Sequence, residues 1–292
     1  MIERYLIRYF IAVVDRGSFS RAAAMAHVSQ PTLSAGIAKL ERLLGTPLFK
    51  RDNRRVELTA AGARFVEHAR AIERAFTGAE TVGSGEAAAQ LLRIGIASTL
   101  PPVMVGAAVA TARKADTNTR IEILDGRMRD LLQRLDRGRL DAVIGPVPAS
   151  REMVREIGRE DYAMAFAASH PLARRSAVAP AELVNETMLV RRQCEALPET
   201  SRFFTTHGVR PFMASRTDDD ERALALVASG LAITLVPRCY ARKGIILLRL
   251  ERFDVERTIG LVSDPDAMVR IGTSTVLAAL CDSFQEALLP PT

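Results

Sequence analysis

The side chains that most often perform covalent or metal chemistry are few in this sequence and lie far apart. The three cysteines, Cys194, Cys239 and Cys281, form no CxxC pair, and only four histidines are spread along the 292 residues. This pattern excludes a disulfide scaffold and a cysteine-based structural zinc site. No GxGxxG motif opens a predicted strand–helix unit, and no GxSxG, HExxH or Walker motif occurs. We therefore expect neither an enzyme nor a bound cofactor, and keep an enzyme with a basic appended domain only as a remote alternative.

One cysteine has neighbours that could activate its thiol. Cys194 follows Arg191 and Arg192 and precedes a helix that is predicted to begin near Leu197. Cationic side chains and a helix N-terminus both lower the pKa of a thiol, which raises the fraction of reactive thiolate. Cys194 is therefore a candidate sensor of oxidants or electrophiles, although we favour the interpretation of a bystander cysteine that lines a ligand cleft.

A second set of side chains could form hydrogen bonds to the bases and phosphates of DNA. Ser29, Gln30, Thr32 and Ser34 stand at the start of a predicted helix. A helix that enters a major groove about 12 Å wide needs short polar side chains at its leading end, and glutamine can bond adenine through two hydrogen bonds. The chemistry that this set suggests is recognition of bases rather than catalysis.

The elements that position this set form a predicted helix-turn-helix. An apolar stripe over residues 5–14 predicts an amphipathic first helix, which ends at Gly17. Ser18 is a predicted N-cap of a short second helix, and Ser29 is a predicted N-cap of a third helix with Pro31 in its first turn. Two short helices joined by a tight turn are typical of proteins that read the major groove.

The segment after the third helix predicts a wing, and the module as a whole is basic. Residues 48–49 and 56–58 could pair as two short strands around a tip that contains Arg54 and Arg55, which suit phosphates or a minor groove. The first 62 residues contain ten Lys and Arg against five Asp and Glu, so +5 of the net charge of +6 lies there. A basic module on a nearly neutral body indicates a polyanionic partner.

Residues 18–62 resemble the N-terminal part of the LysR-type transcriptional regulators. The matching positions stand in one register, which makes the signal far more specific than a lone helix-turn-helix. They are Ser18-Phe19-Ser20-Arg21-Ala22-Ala23, Val28-Ser29-Gln30-Pro31-Thr32-Leu33-Ser34, Ile37, Leu40-Glu41, Leu44-Gly45, Leu48-Phe49, Arg51, Arg54, Val56, Leu58-Thr59 and Ala61-Gly62. The length of the chain and its C-terminal half also fit, so the resemblance covers the whole sequence.

The resemblance implies that the recognition helix and the wing contact a double-stranded DNA operator. Family members commonly carry Arg and Gln where this chain has Ala35 and Gly36, so one base-reading arginine is missing, and the glycine weakens the helix by about 1 kcal/mol relative to alanine. The predicted DNA-binding residues of the domain at 1–62 are Ser29, Gln30, Pro31, Thr32, Ser34, Lys39, Arg51, Arg54 and Arg55.

Residues 63–90 are predicted to form a linker helix and a hinge. Apolar residues recur there at the 4, 3, 4, 3 spacing of a heptad seam. They are Phe65, Ala69, Ile72, Phe76 and Ala79. A helix that packs on its own domain is the alternative, whereas the family resemblance implies that two such helices pair antiparallel in a dimer. Small residues at 83–85 then predict a flexible break.

Residues 91–292 alternate strand patterns with helix patterns. The strand patterns lie at 92–97, 121–124, 140–144, 163–167, 188–190, 232–235, 245–250 and 258–262. Such alternation predicts a doubly wound parallel sheet in two units, with a final helix at 268–288 that returns to the first. The resemblance implies a two-lobed α/β effector domain of the periplasmic-binding-protein type. Its lobe I would comprise 91–161 and 265–292, and its lobe II 162–264, with crossovers near Asp161 and Ser263.

Ligands of such sheets bind outside the carboxyl ends of the strands. Ser98 and Thr99 follow the first strand and precede a helix, whose N-terminus favours an anion, and Arg191 would add a positive charge. Each strand-end residue alone is more often structural than ligand-binding, but the set outlines a small pocket. The predicted effector-binding residues are Ser98, Thr99, Leu100, Asp125, Pro146, Val147, Arg191, Cys194, Thr217 and Val236.

The loop around Cys194 weakly resembles that of the peroxide-sensing branch of the LysR family. That branch has a resolving cysteine nine residues later, where this chain has Phe203. A switch between two cysteines at that spacing is therefore excluded. A one-cysteine sensor of oxidants or electrophiles stays open as the alternative to a regulator that binds a small anionic effector.

Together these patterns predict a sequence-specific transcriptional regulator of the LysR type. We expect a cytoplasmic homodimer or homotetramer that bends its operator differently when an effector is bound and that contacts RNA polymerase. We expect no membrane association, because no apolar run approaches the ~20 residues of a membrane span and the first residues lack the pattern of a signal peptide. An architectural DNA-compacting protein is disfavoured because it would not need the α/β body.

Overall fold

The chain divides into two compact units. Met1–Leu91 and Gln133–Leu140 form the first, and Leu92–Leu132 and Asp141–Thr292 form the second. The computed structural model describes residues 1–50, 56–82, 91–152, 155–263 and 274–289. Among these residues no helix combines the length and the apolar character needed to cross a membrane.

The N-terminal part of the first unit contains the predicted helix-turn-helix. Its helices are α1 (Arg4–Arg16), α2 (Phe19–Met25), α3 (Gln30–Leu44) and α4 (Ala60–Val82). Helix α1 ends at Gly17 in the left-handed conformation, and the side chain of Ser18 accepts a hydrogen bond from the backbone N–H of Arg21. Ser29 caps α3 through the N–H of Thr32. These caps confirm the signals from which the helices were predicted.

An apolar core joins α4 to the helix-turn-helix. The ring of Phe10 lies 5.3 Å from that of Phe49 and 5.1 Å from that of Phe65, measured between centroids. Ala69 is fully buried, and Ile72 packs against the same cluster. Over residues 65–72 the predicted heptad seam therefore packs on its own unit, as in the alternative to a dimer interface. Phe76 is 43% exposed; the side chain of Ala79 and residues 83–85 lie outside the described part of the chain.

The second unit is an α/β structure with ten strands and five helices among its described residues. The strands are β1 (Leu91–Ala97), β2 (Arg120–Gly126), β3 (Ala142–Pro146), β4 (Arg155–Ala167), β5 (Ala177–Val178), β6 (Thr187–Arg191), β7 (Phe212–Thr217), β8 (Thr234–Pro237), β9 (Ile245–Leu250) and β10 (Glu256–Ser263). The helices are α5 (Pro102–Ala115), α6 (Met128–Asp136), α7 (Leu197–Thr206), α8 (Asp220–Ala228) and α9 (Thr275–Leu288); the end of α6, from Gln133 on, belongs to the first unit. Short 3₁₀ helices cover Pro171–Arg174, Pro180–Leu183 and Arg238–Tyr240.

The sheet is mixed, so the expectation of a purely parallel, doubly wound sheet is wrong. The strand order is β2-β1-β3-β10-β4-β9-β5, with β8 paired to β4. Strands β1 and β3 are parallel, whereas β10 is antiparallel to both β3 and β4. The physical reason is the long β4, which pairs with β10 up to Asp161 and with β8 and β9 from Tyr162 onward. Strand β4 leads the chain away from β1–β3, and β10 leads it back to β3. The two neighbouring strands therefore run in opposite directions.

Two separate hydrophobic cores lie on either side of Asp161 and Tyr162, where β4 changes its partner strands. We call lobe I the part built from β1–β3, α5 and α9, whose core contains Ile94, Ile144 and Phe284. Lobe II is the part built from β5–β9, α7 and α8, whose core contains Phe166 and Leu248. In lobe II, β6 and β7 form a two-stranded parallel sheet. The sequence predicts only the end of strand β7, at Thr217, because residues 212–216 are exposed or partly buried and form no continuous apolar run.

Candidate DNA interface and effector sites

The leading turn of α3 presents its polar side chains to solvent. Ser29, Gln30, Pro31 and Thr32 are exposed, and Ser34 is half-buried. The hydroxyl of Ser29 lies 2.7 Å from that of Thr32, and Nε2 of Gln30 donates to Oγ of Ser34 at 3.0 Å. Because these bonds join neighbours on one helix face, they hold the set in a fixed arrangement that suits the edges of bases in a major groove.

The remaining predicted DNA-binding residues are Lys39 and the three wing arginines. Nζ of Lys39 donates to Oε1 of Glu3 at 2.6 Å and to the hydroxyl of Tyr5 at 3.2 Å. These hydrogen bonds raise the pKa of Lys39, first through Glu3 and then through Tyr5, and they direct its charge toward α1. The predicted wing arginines, Arg51, Arg54 and Arg55, lie outside the described residues.

The base of the predicted wing is anchored to α3. Phe49 and Leu58 form an antiparallel bridge, and the N–H of Lys50 donates to the carbonyl of Glu57 at 2.9 Å. Oε1 of Glu41 accepts the backbone N–H groups of Leu48 at 2.7 Å and Phe49 at 3.1 Å. The glutamate of α3 therefore fixes where this segment leaves the recognition helix.

The unusual Gly36 of α3 has a packing reason. A Cβ atom at this position would lie 2.6 Å from Cδ2 of Tyr9, closer than real Cβ contacts. Helix α1 thus approaches α3 at the glycine, with the ring of Tyr9 over its backbone. The departure from the family pattern at this position therefore has a cause in helix packing.

The predicted effector residues at the end of β1 lie where lobe I meets lobe II. Oγ of Ser98 donates to Oε1 of Gln193 at 2.5 Å, and Nε2 of Gln193 donates to the carbonyl of Asp218 at 3.0 Å. Thr99 is only 6% exposed, and its Oγ1 is buried without a hydrogen-bond partner among the described residues. Leu100 is buried.

The anion site expected at the start of α5 is poorly equipped with donors. The N–H of Ser98 donates to Gly126, and that of Leu100 donates to Ala97. Pro101 and Pro102, which begin the helix, carry no N–H. This helix N-terminus therefore offers an anion fewer free N–H groups than the sequence suggested.

The remaining strand-end residues contribute mostly backbone. Asp125 is exposed in β2. Pro146 pairs with β10, and the N–H of Val147 donates to Thr258. Oγ1 of Thr217 accepts the N–H of Asp219 at 3.0 Å. Val236 is fully buried in the core of lobe II, so its side chain is not available to a ligand in a cleft.

Arg191 is committed to a buried ion pair. Its Nε donates to Oδ1 of Asp220 at 2.8 Å, its Nη2 pairs with Oδ2 of the same carboxylate, and its Nη1 donates to the carbonyl of Leu235 at 3.2 Å. Its guanidinium also lies 5.0 Å from the centre of the Tyr240 ring. The expected contact of Arg191 with an anionic effector is therefore not supported, because Asp220 already neutralises it.

Cys194 is buried, and its environment opposes ionisation. Only 8% of its surface is exposed, and burial raises its pKa to about 11 even though the neighbouring Arg191 acts in the opposite direction. Arg191 is itself paired with Asp220, and desolvation outweighs its effect on the pKa of Cys194. Cys281 is also buried, and its pKa is raised to about 11 by desolvation.

Cys194 instead lines a cavity of about 310 Å³ inside lobe II. The cavity lies between β6, β8, α7 and the segment that leads into β7. Of the predicted effector residues, only Arg191 and Cys194 reach it. Among the apolar side chains in its wall are Met188, Leu197, Phe204, Val209, Met213 and Leu235. The sequence does not distinguish these side chains from core residues, because apolar residues at helix and strand spacing indicate a core equally well.

A charged network that the sequence did not reveal joins the two lobes. Arg257, which is 4% exposed, donates to Glu160 at 2.8 Å, to Glu195 at 2.6 Å and to the carbonyl of Thr99 at 3.2 Å. The hydroxyl of Tyr162 also donates to Glu195, at 2.8 Å. Although burial disfavours the charge of Arg257, the carboxylates of Glu195 and Glu160 raise its pKa.

Comparisons with known proteins agree with both units. Residues 5–63 match the family model described as "Bacterial regulatory helix-turn-helix protein, lysR family", and residues 85–285 match "LysR substrate binding domain". The hydrogen peroxide-inducible genes activator of Dickeya chrysanthemi is 32% identical over 280 residues, which cover 90% of each chain. The DNA-binding transcriptional dual regulator OxyR of Escherichia coli K12 is 31% identical over 274 residues, again 90% of each chain.

Solved structures show the same fold. A full-length OxyR variant from Pseudomonas aeruginosa superposes with a TM-score of 0.68 at 23% identity, over 98% of this chain and 95% of that one. Full-length CbnR in complex with its target DNA superposes with a TM-score of 0.56 at 23% identity, over 98% and 100% of the two chains. With the two family models and the identity to curated relatives, the conclusion is that this chain belongs to the LysR family and is a DNA-binding transcriptional regulator, not an enzyme.

Proposed function

We propose that this regulator reads its operator with paired winged helix-turn-helix modules and responds to a small polar effector held between lobes I and II. Ser29, Gln30, Pro31, Thr32 and Ser34 would face the major groove. The antiparallel bridge between residues 49 and 58 supports a wing whose tip would bring Arg51, Arg54 and Arg55 to the backbone or the minor groove. Such a regulator would act in the cytoplasm, where its DNA is.

The observation that carries the effector site is the orphan hydroxyl of Thr99. A buried polar atom without a partner costs roughly 1–3 kcal/mol, and native proteins seldom leave one in place without a reason. The neighbouring Ser98 already bonds across the lobes to Gln193. A small polar molecule at this point would satisfy Thr99 and exchange bonds with Ser98 and Gln193, and so change how the two lobes meet.

The charge of the effector is less constrained than the sequence suggested. Arg191 is neutralised by Asp220, and the prolines at the start of α5 reduce the free N–H groups. Arg127, the cation that directly follows β2, is paired with Asp218 at 3.4 Å. A hydrogen-bonding effector therefore fits this site better than one that depends on a strong negative charge.

Assembly and output follow the family pattern in this proposal. Two chains would pair through the part of α4 beyond residue 72, where Phe76 is exposed, and two pairs would form a homotetramer. An effector that changes the relation of the lobes would shift the tetramer between arrangements that bend DNA differently. Contact with RNA polymerase would then set promoter activity. The domains would be residues 1–62, 63–90 and 91–292.

A one-cysteine oxidant or electrophile sensor is the second candidate function. The observation in its favour is that relatives in Dickeya chrysanthemi and Escherichia coli are named hydrogen peroxide-inducible genes activators. Two features of this chain count against it. Phe203 stands where a second cysteine would be needed, and burial keeps the thiol of Cys194 protonated at neutral pH.

A mobility shift with the DNA upstream of the regulator's own gene separates the two candidates. The effectors screened are small metabolites, hydrogen peroxide and hypochlorite, applied to the wild type, Thr99→Val and Cys194→Ser, with scrambled DNA as competitor. We expect a metabolite to change the pattern of the complexes in the wild type and in Cys194→Ser, and to lose its effect in Thr99→Val. A response to oxidants alone that disappears in Cys194→Ser would instead establish the second candidate. If the upstream fragment binds no better than scrambled DNA, selection of bound genomic fragments finds the operator.

A further inference from the structure

The cavity inside lobe II is distinct from the proposed effector site between the lobes. All of its walls come from lobe II, and neither Ser98 nor Thr99 lines it. Its volume of about 310 Å³ is roughly twice that of the ~150 Å³ apolar cavities that accept one benzene molecule. An apolar molecule that occupied this space would gain contacts that water does not provide.

The polar groups in the wall are almost all satisfied by the protein itself. The hydroxyl of Thr200 donates to the carbonyl of Ala196 at 2.6 Å, and that of Thr234 donates to Leu189 at 2.8 Å. Arg191 is held by Asp220. The walls therefore offer a ligand mainly apolar contact, together with the soft sulfur atoms of Met188, Met213 and Cys194.

One wall residue is an exposed cation with no ion pair among the described residues. Arg210 lies in the segment between α7 and β7 and lines the cavity. Ser201, on α7, is also exposed and lines the cavity, so these two residues mark its open side. An apolar interior with one free guanidinium at its mouth is complementary to an amphiphile with a single anionic group.

We infer that lobe II holds a second ligand site, which takes a small aromatic or medium-chain carboxylic acid with its apolar body in the cavity and its carboxylate at Arg210. The site would influence the junction of the lobes through the loop at 193–195. Cys194 is part of the wall, Gln193 bonds to Ser98 of lobe I, and Glu195 bonds to Arg257. A ligand in the cavity that shifts Cys194 would therefore also change the contact of Gln193 with Ser98 at the proposed effector site.

Calorimetric titration of the full-length protein with 1-naphthoate tests the inference. We expect saturable binding of one molecule per chain. Ser201→Trp should abolish binding by filling the mouth, and Arg210→Gln should weaken it about fivefold, the effect of one exposed charge pair. Arg202→Gln is the matched control, since Arg202 is an exposed cation on the nearby helix α7 that does not line the cavity. The neutral 1-naphthamide should bind wild type about as weakly as naphthoate binds Arg210→Gln.

The outcomes separate this site from the proposed effector site. Naphthoate binding that survives Thr99→Val but falls in Arg210→Gln supports the lobe II site, whether or not an effector between the lobes is found. Binding that is unchanged in both Ser201→Trp and Arg210→Gln, or that is lost in Thr99→Val, would overturn it. The absence of saturable binding to the folded wild type would overturn it as well, and would identify the cavity as a packing gap.

Discussion

The carboxylate of Glu195 accepts a hydrogen bond from Nη1 of Arg257 at 2.6 Å. Glu195 directly follows Cys194 in lobe II, whereas Arg257 stands at the start of β10, the strand that leads the chain back to lobe I. Because Arg257 also donates to Glu160 of β4, one guanidinium ties the cysteine loop to both strands that run between the lobes. A change in this loop would therefore act directly on the junction between the lobes.

Removal of Arg257 should be costly. Arg257→Met leaves the carboxylate of Glu160, whose side chain is 4% exposed, buried without its cation. Breaking a buried pair by removing one partner typically costs about 3–5 kcal/mol, and we expect a loss of that size in the free energy of unfolding, measured by urea denaturation. The control is Arg159→Met, because Arg159 forms an exposed pair with Glu156 and should cost less than about 1 kcal/mol. Equal losses in the two variants would contradict the assigned role of Arg257.

The reactivity of Cys194 should increase only at high pH. Its pKa is raised to about 11 by burial, so the thiolate fraction grows about tenfold for each pH unit up to that value. We expect the rate of alkylation by iodoacetamide, followed by mass spectrometry of the Cys194 peptide, to rise without a plateau from pH 7 to pH 10. Glutathione alkylated in parallel provides the control for a solvated thiol. A plateau near pH 7 would show an activated cysteine and would revive the sensor hypothesis.

The substitution Gly36→Ala should destabilise the protein because of the ring of Tyr9. In the wild type, Gly36→Ala places a methyl group 2.6 Å from Cδ2 of Tyr9, and overpacking of this kind costs roughly 1–3 kcal/mol. In a Tyr9→Ala background the contact is gone, so the same change should stabilise by about 0.5–1 kcal/mol through helix propensity. A double-mutant cycle of thermal or urea unfolding measures the difference. A cycle without coupling would mean that Tyr9 is not the reason for the glycine.

Part of the fold and of the candidate sites follows from the sequence, and part does not. Strand β9 has the bounds that the sequence predicts, because an apolar run with clear ends defines it. The direction of β10 does not follow, since an apolar strand looks the same whether its neighbour is parallel or antiparallel. The pairing of Arg191 with Asp220, 29 residues apart in sequence, depends on which strand end meets which helix start. The environment of Cys194 depends on the same packing, which no local pattern reports.

Gln30 and Lys39 should differ in their effect on DNA binding. Gln30→Ala removes an exposed side chain that can bond adenine, and the loss of one such contact costs about 1–3 kcal/mol of discrimination against the wrong base. Lys39→Ala should change affinity less than about threefold, because Nζ of Lys39 is held by Glu3 within the module. Mobility shifts with the operator and with single-base variants measure both. A larger loss of discrimination in Lys39→Ala than in Gln30→Ala would reverse the assignment.

The hydroxyl of Thr99 should be dispensable for folding and required for the response to an effector. Thr99→Val replaces a buried oxygen that has no partner among the described residues with a methyl group of similar shape, so the ligand-free protein should gain about 1 kcal/mol in urea unfolding. Thr217→Val is the matched control, because Oγ1 of Thr217 accepts the N–H of Asp219, and its loss should destabilise the protein by about 1 kcal/mol or more. An effector that stabilises wild type by linkage should shift the unfolding of Thr99→Val much less. If Thr99→Val is destabilised as Thr217→Val is, the hydroxyl already has a partner in the folded protein and needs no effector at this position.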